Sequence, residues 1–496
     1  MSGNKNLKTC LVIWLILLTL HATPIASGKI IYVDNDAIGL NDGSSWADAY
    51  NFLQDALADA NSSAKANVIA SERSERGNLN TIIEIRVAQG IYKPDQGKGI
   101  TPGRRTATFQ LINGVTIKGG YSGLGEPDPN VRDIKLYETI LSGDLNGDDG
   151  PNFVNNGENS YHVFYHTEGL NLDKTAILDG FTITGGNANG SSLHNCGGGM
   201  YNKSSSPTVN NCTFNGNSAY FGGGMGNLPY SSPKVNNCTF IGNLADFSGG
   251  GMLNQYSSPR IINCTFSGNS AVYGVGGGMN NLASSPIVNN CTFTKNSAND
   301  GGGMYNGAAF QYYSSPLVIN YTFSGNLAGR CGGGMCNGDS SPTVINCILW
   351  ADAPSEIQSE IYNYSRTPVV RYSDVQGGWP GEGNINIDPC FADPDANDYH
   401  LKSQAGIWEP SSGSWVKDDV TSLCIDAGDP ASPVGLEPFP NGGIINMGAY
   451  GGTAEASKSY FGEPVCETVV AGDINGDCIV NLKDFAFMAF HWLEEH

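Results

Sequence analysis

The chain has 496 residues, a formal net charge of −21 and 13 cysteines. The negative charge is concentrated at the C-terminal end, where residues 351–496 contain 23 Asp and Glu against 6 Lys and Arg, whereas residues 197–350 contain 3 against 5. Because phosphate backbones and anionic lipids require a basic surface, this charge excludes nucleic acid and an anionic membrane as partners. It is compatible with calcium binding and with high solubility.

Residues 1–28 have the layout of a secretory signal peptide. Lys5 and Lys8 precede an eleven-residue apolar run at 10–20, and small residues follow up to Gly28. The run is shorter than the roughly 20 residues that span a bilayer. A buried N-terminal strand is the alternative, but the flanking lysines and small residues favour a signal peptide. We expect a secreted or cell-surface chain without a transmembrane segment after cleavage.

Residues 29–460 are predicted to form one solenoid that begins with a cap at 29–95. Within the cap, the segment SSWADAYNFLQDALADA at 44–60 is predicted to be an amphipathic helix. Such a helix would cover the open end of the solenoid. The apolar residues on its predicted inner face are Trp46, Tyr50, Leu53 and Leu57.

The segment GDLNGDDG at 143–150 places Asp144, Asn146 and Asp148 at alternate positions. Alternate oxygen-bearing side chains of a turning loop converge on one calcium ion in known calcium loops. No closing carboxylate is evident in the segment. A possible second metal site and an ordinary surface turn therefore both remain open.

Residues 196–350 contain a repeat with a period near 26 residues. A period of this length indicates a stack of similar units, in which each unit covers its neighbour. Each copy carries a GGGM element and an NCTF element. The methionines are at 200, 225, 252, 279, 304 and 335; the cysteines are at 212, 238, 264 and 291, followed by Tyr321 and Cys347.

The repeated unit has no helical periodicity and consists of short β-prone pieces between turn formers such as Gly-Gly-Gly, Ser-Ser-Pro and Asn-Asn. Side chains alternate along a strand, so Val209 and Cys212 cannot face the same side of one straight strand. If the intervening Asn adopts the left-handed conformation, a corner forms and Val209, Cys212 and Phe214 all point inward. We therefore predict interior rows of Val or Ile, Cys, Phe and Met, with mutually bonded Asn amides at the corner.

The five cysteines at one repeat position are predicted to form a buried row of free thiols. The remaining cysteines after the signal peptide are candidates for disulfides, whose connectivity the sequence does not define. These are Cys196, Cys331, Cys336, Cys390, Cys424, Cys466 and Cys478.

The repeat resembles right-handed parallel β-helix proteins of bacterial surfaces, including the polymorphic outer-membrane-protein type, which combine a GG-aliphatic element with an F-x-x-N element. The first element appears here as GGGM; the second appears at 214–217, 240–243, 266–269, 293–296 and 323–326. The resemblance covers most of residues 30–455. It implies an all-β, right-handed parallel β-helix, a pectate-lyase-like solenoid, with further C-terminal coils at 351–460.

The tail at 461–496 contains GDINGDCIVNLKDFAFMAFHWLEEH, which has the spacing of a calcium loop followed by a helix. It resembles the loop and helix of dockerin modules, although dockerins carry two such segments and normally have Gly where Cys478 stands. The resemblance implies a structural calcium ion and a cohesin-like partner module; an acidic, solvated tail is the alternative. The predicted ligands are Asp473, Asn475, Asp477, Ile479 through its carbonyl, Asn481 and Asp484.

The repeats offer few groups for catalysis, and we assign no catalytic residue. Acid–base hydrolysis or calcium-assisted elimination needs clustered carboxylates. Asp246 and Asp300, two of the three acids in the repeats, precede successive glycine elements and are expected on the same side of the stack. Asp179 and Asp426 are interpreted as turn or strand-edge residues that stabilise coils.

We therefore expect a secreted or cell-surface β-helix scaffold that binds polysaccharide or a partner protein and carries a calcium-binding tail. The alternative, which the resemblances imply, is a polysaccharide lyase or glycoside hydrolase assembled through the tail. His162 and His166 lack the Glu of a zinc helix, so we do not expect a metalloenzyme. Three carboxylates, or two with a basic side chain, converging in a groove would favour an enzyme.

Overall fold

The computed structural model describes residues 28–73, 83–354, 357–359 and 367–461, together with residues 472, 480, 482 and 484–486. The chain folds as the predicted right-handed parallel β-helix. Apart from Gly28, the predicted signal peptide lies outside the described residues.

Among the described residues, three parallel sheets run along the solenoid. Sheet 1 has 19 strands: Lys29–Val33, Ile83–Ala88, Gly90–Tyr92, Val115–Tyr121, Thr139–Ser142, Ile177–Asp179, Thr182–Thr184, Thr208–Asn210, Thr213–Asn215, Lys234–Asn236, Thr239–Ile241, Arg260–Ile262, Thr265–Ser267, Ile287–Thr294, Leu317–Ser324, Thr343–Ile345, Ile348–Trp350, Val369–Arg371 and Asp374–Val375. Sheet 2 consists of Phe164–His166, Met200–Asn202, Met225–Asn227, Met252–Gln255, Met279–Leu282, Met304–Gly307, Met335–Gly338 and Ile357–Ser359. Sheet 3 consists of Asn187–Ala188, Ser218–Phe221, Leu244–Ser248, Ser270–Val275, Ser297–Asp300 and Leu327–Cys331.

One long helix, α1, spans Leu53–Arg73, and two short 3₁₀ turns span Pro151–Phe153 and Asn156–Glu158. After the coils, two antiparallel hairpins form. The first pairs Phe391–Asp393 with Asp398–Leu401, and the second pairs Ile407–Glu409 with Ser414–Val416.

Each central coil passes through sheet 3, the glycine corner, sheet 2, the Ser-Ser-Pro corner and sheet 1, where it forms either two short strands or one continuous strand. The pairing register stacks like residues on like residues, as the repeat predicts. Met200 pairs with Met225, for example, and Met225 pairs with Met252. At the glycine corner, a Cβ on Gly224 would lie 2.6 Å from the carbonyl oxygen of Gly251, so the close approach of successive coils requires glycine there.

The Asn corner predicted between Val209 and Cys212 is confirmed. Asn211 has a φ of 52°, in the left-handed region, and Val209, Cys212 and Phe214 are all buried. The equivalent residues of the following coils share this conformation: Asn237, Asn263, Asn290, Asn320 and Asn346.

The interior is built from the predicted rows of apolar side chains. The rings of Phe214, Phe240 and Phe266 stack almost parallel, with centroids 4.7 Å apart. Burying a Phe side chain stabilises the fold by about 1.5 to 3 kcal/mol. Each additional coil with a buried Phe therefore adds a stabilisation of this size from that side chain. The cysteine row is also confirmed, because Cys212, Cys238, Cys264, Cys291 and Cys347 are free and buried.

Two buried asparagine ladders hold successive coils together. In each, the side-chain Nδ2 of one Asn donates a hydrogen bond to the Oδ1 of the residue one coil further on. The ladder of sheet 2 runs through Asn202, Asn227, Asn254, Asn281, Asn306 and Asn337, with N···O distances of 2.8–2.9 Å. The ladder before sheet 3 runs through Asn217, Asn243, Asn269, Asn296 and Asn326 and ends on Asp352, with distances of 2.8–3.1 Å.

The cap differs from the prediction in where its helix begins. Helix α1 begins at Leu53, and Leu53 and Leu57 are buried against the first coil as expected. Trp46 precedes the helix and packs instead with Ala88 and Tyr121. The segment at 44–52 is fixed by side-chain contacts of its own; for example, the backbone N–H of Asp48 donates a hydrogen bond to Ser45 Oγ at 3.1 Å.

The C-terminal region also departs from the stacked coils predicted for 351–460. Regular pairing onto the solenoid continues to Val375, and the two antiparallel hairpins follow it. The Pro-Asp-Ala-Asn sequence at 394–397 supplies a tight turn for the first hairpin. The later loops pack against the Asn corner of sheet 1, where Asn290 donates hydrogen bonds to the carbonyls of Ala449 and Gly451 at 3.0 and 2.7 Å.

Among the described cysteines, the structure pairs Cys331 with Cys336 in a disulfide. The sequence left this connectivity open. The bridge joins the end of sheet 3 to sheet 2 across the glycine corner of one coil.

Candidate functional site

Exposed and half-buried aromatic side chains form a row along the end of sheet 3. We call Tyr220, Phe221, Phe247 and Tyr273 the aromatic edge. The Phe247 ring centroid lies 6.2 Å from that of Tyr220 and 6.5 Å from that of Tyr273. Phe247 is 46% exposed and Tyr273 is 69% exposed, whereas Tyr220 and Phe221 are half-buried.

Irregular strand pairing explains why these aromatic side chains point outward. Ala245 pairs in register with Ala271 and is buried, but the register shifts before Ser248 pairs with Val275. An extra residue in a strand changes the direction in which the neighbouring side chains point, as in a β-bulge. Phe247 lies within this irregular part of its strand. The sequence shows the repeated alanine, but it does not show how the residues that follow it are oriented.

A second group of exposed aromatic residues lies at the Ser-Ser-Pro corner, on the opposite edge of sheet 2. Tyr256 contacts Tyr312 edge-on, with ring centroids 5.9 Å apart. Tyr312 belongs to the inserted segment GAAFQYY, which is closed by a short antiparallel bridge between Ala309 and Tyr312. Sheet 2 therefore lies between two edges that both carry aromatic side chains. The exposed members of this second group are Tyr230, Phe310, Tyr312 and Tyr313.

Few charges accompany the aromatic edge. Asp246 and Asp300 both lie in sheet 3, two coils apart, as expected from their positions before the glycine elements. Burial raises the pKa of Asp246. Asp300 is almost completely buried and forms a two-pronged ion pair with Arg330. The paired charges leave this face close to neutral.

A cluster of carboxylates occupies residues 144–159, which we call the acidic loop. Carboxylate oxygens of Asp144, Asp148 and Glu158 lie within 4.8 Å of one another. Asp149 adjoins them and accepts a 2.7 Å hydrogen bond from the Nδ2 of Asn159. Burial, and then the neighbouring carboxylates, raise the pKa of Asp149 above its usual value. None of the ion pairs in the described part of the chain involves these acids.

The structure thus brings together two of the three residues predicted for a second metal site and adds Glu158. Asn146 is exposed. Glu158 was not predicted because it follows the triplet by ten residues and reaches it only when the intervening chain folds back. The chain has folded back by Ser160, whose backbone N–H donates a hydrogen bond to the carbonyl of Gly143 at 2.8 Å.

The predicted tail site falls largely outside the described residues. This applies to Asp473, Asn475, Asp477, Ile479 and Asn481. Asp484, the sixth predicted ligand, is a buried residue of a short helical segment. The calcium loop in the tail therefore stays a prediction.

Three carboxyl groups of the C-terminal region have raised pKa values; Asp374 and Glu437 are buried and Asp426 is half-buried. Burial raises the pKa of Glu437 to about 7 and the pKa values of Asp374 and Asp426 to about 6. The Oε1 of Glu437 accepts hydrogen bonds from the backbone N–H groups of Asn446 and Gly452, both at 2.8 Å. These contacts hold together the loops that pack on sheet 1, so we interpret the three acids as structural.

The other acid and histidine candidates also have structural partners. Asp179 forms an ion pair with Arg132 at 2.8 Å. The Nε2 of His166 accepts a hydrogen bond from the backbone N–H of Leu111, which leaves its Nδ1–H to donate to Asn202 Oδ1 at 2.7 Å. Burial lowers the pKa of His166 to about 4, so the ring is neutral. His166 thereby begins the asparagine ladder of sheet 2.

A cavity of 790 Å³ lies under the cap helix and contains none of the predicted site residues. Gln54 and Leu57 of α1 form one side, and Gln110 and Leu172 form part of the other. None of the helices among the described residues is long and apolar enough to cross a membrane.

Comparison with known proteins agrees with this architecture. Residues 153–349 match the family model described as right handed beta helix region, and residues 371–428 match the model described as disaggregatase related. The fold and its repeated coils thus define the class: a right-handed parallel β-helix protein. No curated protein matches the chain.

Two solved structures overlap the fold at low similarity. The pectin methylesterase from Aspergillus niger, in deglycosylated form, is 12% identical with a TM-score of 0.30, over 73% of this chain and 86% of that one. The alginate lyase from Paenibacillus sp. str. FPU-7 is 10% identical with a TM-score of 0.29, over 62% of this chain and 95% of that one. Similarities this low carry no argument about activity.

Proposed function

We propose that the protein is a secreted or cell-surface scaffold that binds polysaccharide along the aromatic edge. The observation that carries this proposal is the row of rings at Tyr220, Phe247 and Tyr273, one on each of three successive coils, of which Phe247 and Tyr273 are exposed and Tyr220 is half-buried. Exposed apolar surface of this kind marks a binding site in soluble proteins. An extended glycan lying across the coils would meet one ring on each coil and stack its apolar face against it.

The charge of the repeats favours a neutral polysaccharide over a polyanion. Residues 197–350 contain 3 acidic and 5 basic residues, spread over several coils. Next to the aromatic edge, Arg330 is already paired with Asp300, while Asp246 would repel a uronic acid. A polyanion needs a concentration of unpaired cations, as in other polyanion-binding surfaces. A partner protein docking on the same rings is the other outcome of the binding test.

A second candidate function, polysaccharide lyase or glycoside hydrolase, is favoured by the acidic loop. Three carboxylates converge there, and Lys93 lies near them, since its Nζ donates a 3.2 Å hydrogen bond to the carbonyl of Leu145. Clustered carboxylates can act as acid and base. The binding scaffold remains our leading proposal because the acidic loop is a surface segment in which Asp148 and Asp149 are exposed.

Both candidates are tested by incubating the purified mature chain with insoluble and soluble polysaccharides, in calcium and in chelator. Retention on a neutral glycan without new reducing ends or unsaturated products is expected. Product release would establish the enzyme instead. Retention only on uronic acid polymers would contradict the neutral-glycan proposal, and no retention with no products would reject both candidates.

For the tail, we propose that a calcium loop folds around one ion and presents a dockerin-like surface to a cohesin-like module. The predicted donors are all oxygens, which suits calcium. Asp473→Ala combined with Asp477→Ala is expected to abolish the calcium response of the tail in a calorimetric titration. An unchanged titration would contradict a calcium site at these residues.

A further inference from the structure

The acidic loop contains an arrangement of oxygens that matches the dimensions of a calcium site. Calcium–oxygen distances are about 2.4 Å, so any two ligand oxygens of one ion lie no more than about 4.8 Å apart. The carboxylate oxygens of Asp144, Asp148 and Glu158 satisfy this limit with respect to one another. The three groups come from both ends of a segment that folds back on itself.

The negative charge of this cluster is not neutralised by the described part of the chain. Asp144, Asp148, Asp149 and Glu158 take part in none of its ion pairs. Lys93, the nearest ammonium group that forms a contact with this loop, binds the carbonyl of Leu145. Like charges this close repel one another, so a cation would stabilise the loop by removing that repulsion.

Buried oxygens without partners provide an independent indication of a ligand. Asn159, which follows Glu158 in the chain, is 1% exposed, and its Nδ2 donates to Asp149 at 2.7 Å. Its Oδ1 nevertheless has no hydrogen-bond partner, and the buried Oε1 of Glu158 also lacks one. Buried polar atoms are nearly always satisfied in folded proteins. An unsatisfied oxygen on Glu158, one of the three clustered carboxylates, and another on the adjacent Asn159 indicate a missing electropositive partner.

We propose that the acidic loop binds one calcium ion through the carboxylates of Asp144, Asp148 and Glu158, with the amide oxygen of Asn159 beside them. The donor set contains only hard oxygens, whereas zinc and copper sites use His and Cys ligands. The proposal concerns the solenoid itself, so it stands apart from the tail site and from the glycan-binding proposal.

The bound ion would fasten the acidic loop to the neighbouring coils. The loop already contacts them through hydrogen bonds. For example, Arg105 Nε donates to the carbonyl of Asn159 at 2.6 Å, and Asn187 Nδ2 donates to the carbonyl of Asn156 at 2.7 Å. The ion adds a link between the start of the loop at Asp144 and its end at Glu158. Calcium should therefore raise the melting temperature and protect the loop from proteases.

The test uses the full mature chain with Asp473→Asn and Asp477→Asn, so that the tail site is silent. Calorimetry and thermal melting are measured in calcium and in chelator. One ion per chain is expected to bind and to raise the melting temperature. Asp148→Asn combined with Glu158→Gln should weaken calcium binding by about tenfold or more, because charge is removed from two ligands.

These two substitutions suit the test because neither side chain has a hydrogen bond to lose among the described contacts. Glu126→Gln, at an exposed acid outside the cluster, is the matched control and should leave calcium binding unchanged. Melting in chelator shows whether each variant folds; Asp148→Asn alone serves if the double variant does not. Absence of calcium binding at about 10 mM in the tail-silenced chain, or equal affinity with and without the loop substitutions, would overturn the proposal.

Discussion

Asn217 donates two hydrogen bonds to the same oxygen of Asn243, one from its side-chain Nδ2 and one from its backbone N–H, each at 3.1 Å. The Nδ2 of Asn243 donates in turn to the carbonyl of Phe214 at 2.8 Å. Each Asn of this ladder thus forms hydrogen bonds both with the Asn of a neighbouring coil and with the main chain beside it. Since these groups are buried, the ladder links the coils at a place that water does not reach.

We expect Asn243→Ala to destabilise the solenoid by about 3 kcal/mol, because it leaves the N–H of Asn217 and the carbonyl of Phe214 without these partners in the interior. The control is Asn215→Ala, at an exposed strand position, which should change stability by less than about 0.5 kcal/mol. Denaturant unfolding measures both variants. Equal stability of the two would show that the ladder contributes little.

The buried cysteine row predicts selective thiol reactivity. Burial raises the pKa of Cys347 to about 12, so its reactive thiolate is scarce in the native state. Cys390 is only partly buried and should be alkylated first. Peptide mapping after native labelling with iodoacetamide should find modified Cys390 and unmodified row cysteines, and labelling in denaturant should modify all of them. Early modification of Cys264 or Cys291 would contradict an inward-facing row.

Glu437 predicts a loss of stability as pH rises. Its pKa is near 4.5 when unfolded and about 7 when folded, so the folded state binds more protons between these values. Protonation therefore stabilises the fold at low pH, and this contribution of about 3 kcal/mol disappears as pH rises through 7. The cause is the burial of the carboxylate, which is 7% exposed at the residue level.

The measurement is denaturant unfolding of the parent and Glu437→Gln at pH 5 and pH 8. The amide retains an oxygen acceptor for the N–H groups of Asn446 and Gly452 but does not ionise. The difference in stability between the variant and the parent should shift in favour of the variant on going from pH 5 to pH 8. An equal pH dependence of the two proteins would show that Glu437 does not titrate between its folded and unfolded states as described.

The fold could be predicted from sequence because its interior repeats. The period of the Met and Cys positions predicted the stack, and the parity of Val209 and Cys212 predicted the left-handed Asn corner. The F-x-x-N asparagines were recognised as a motif, but their burial and amide pairing were not predicted. Burial and amide pairing depend on whether the Asn side chain points inward, and the residue type alone does not determine this.

The candidate sites were less predictable because they depend on irregular backbone. Phe247 and Tyr273 face water as a result of register shifts after Ala245 and Ala271. Glu158 joins the acidic loop only through the chain reversal that precedes Ser160. Helix α1 begins later than predicted because Trp46 has its own packing partners. None of these features has a fixed sequence spacing.

The most direct test of the glycan-binding proposal measures polysaccharide binding by the chain carrying Phe247→Ala and Tyr273→Ala. Both rings are exposed, so their removal should leave the melting temperature unchanged while weakening retention on a neutral glycan by at least about tenfold. Phe461→Ala, at a partly exposed ring outside the repeats, is the matched control and should bind like the parent. Undiminished binding by the double variant would contradict a glycan site on the aromatic edge.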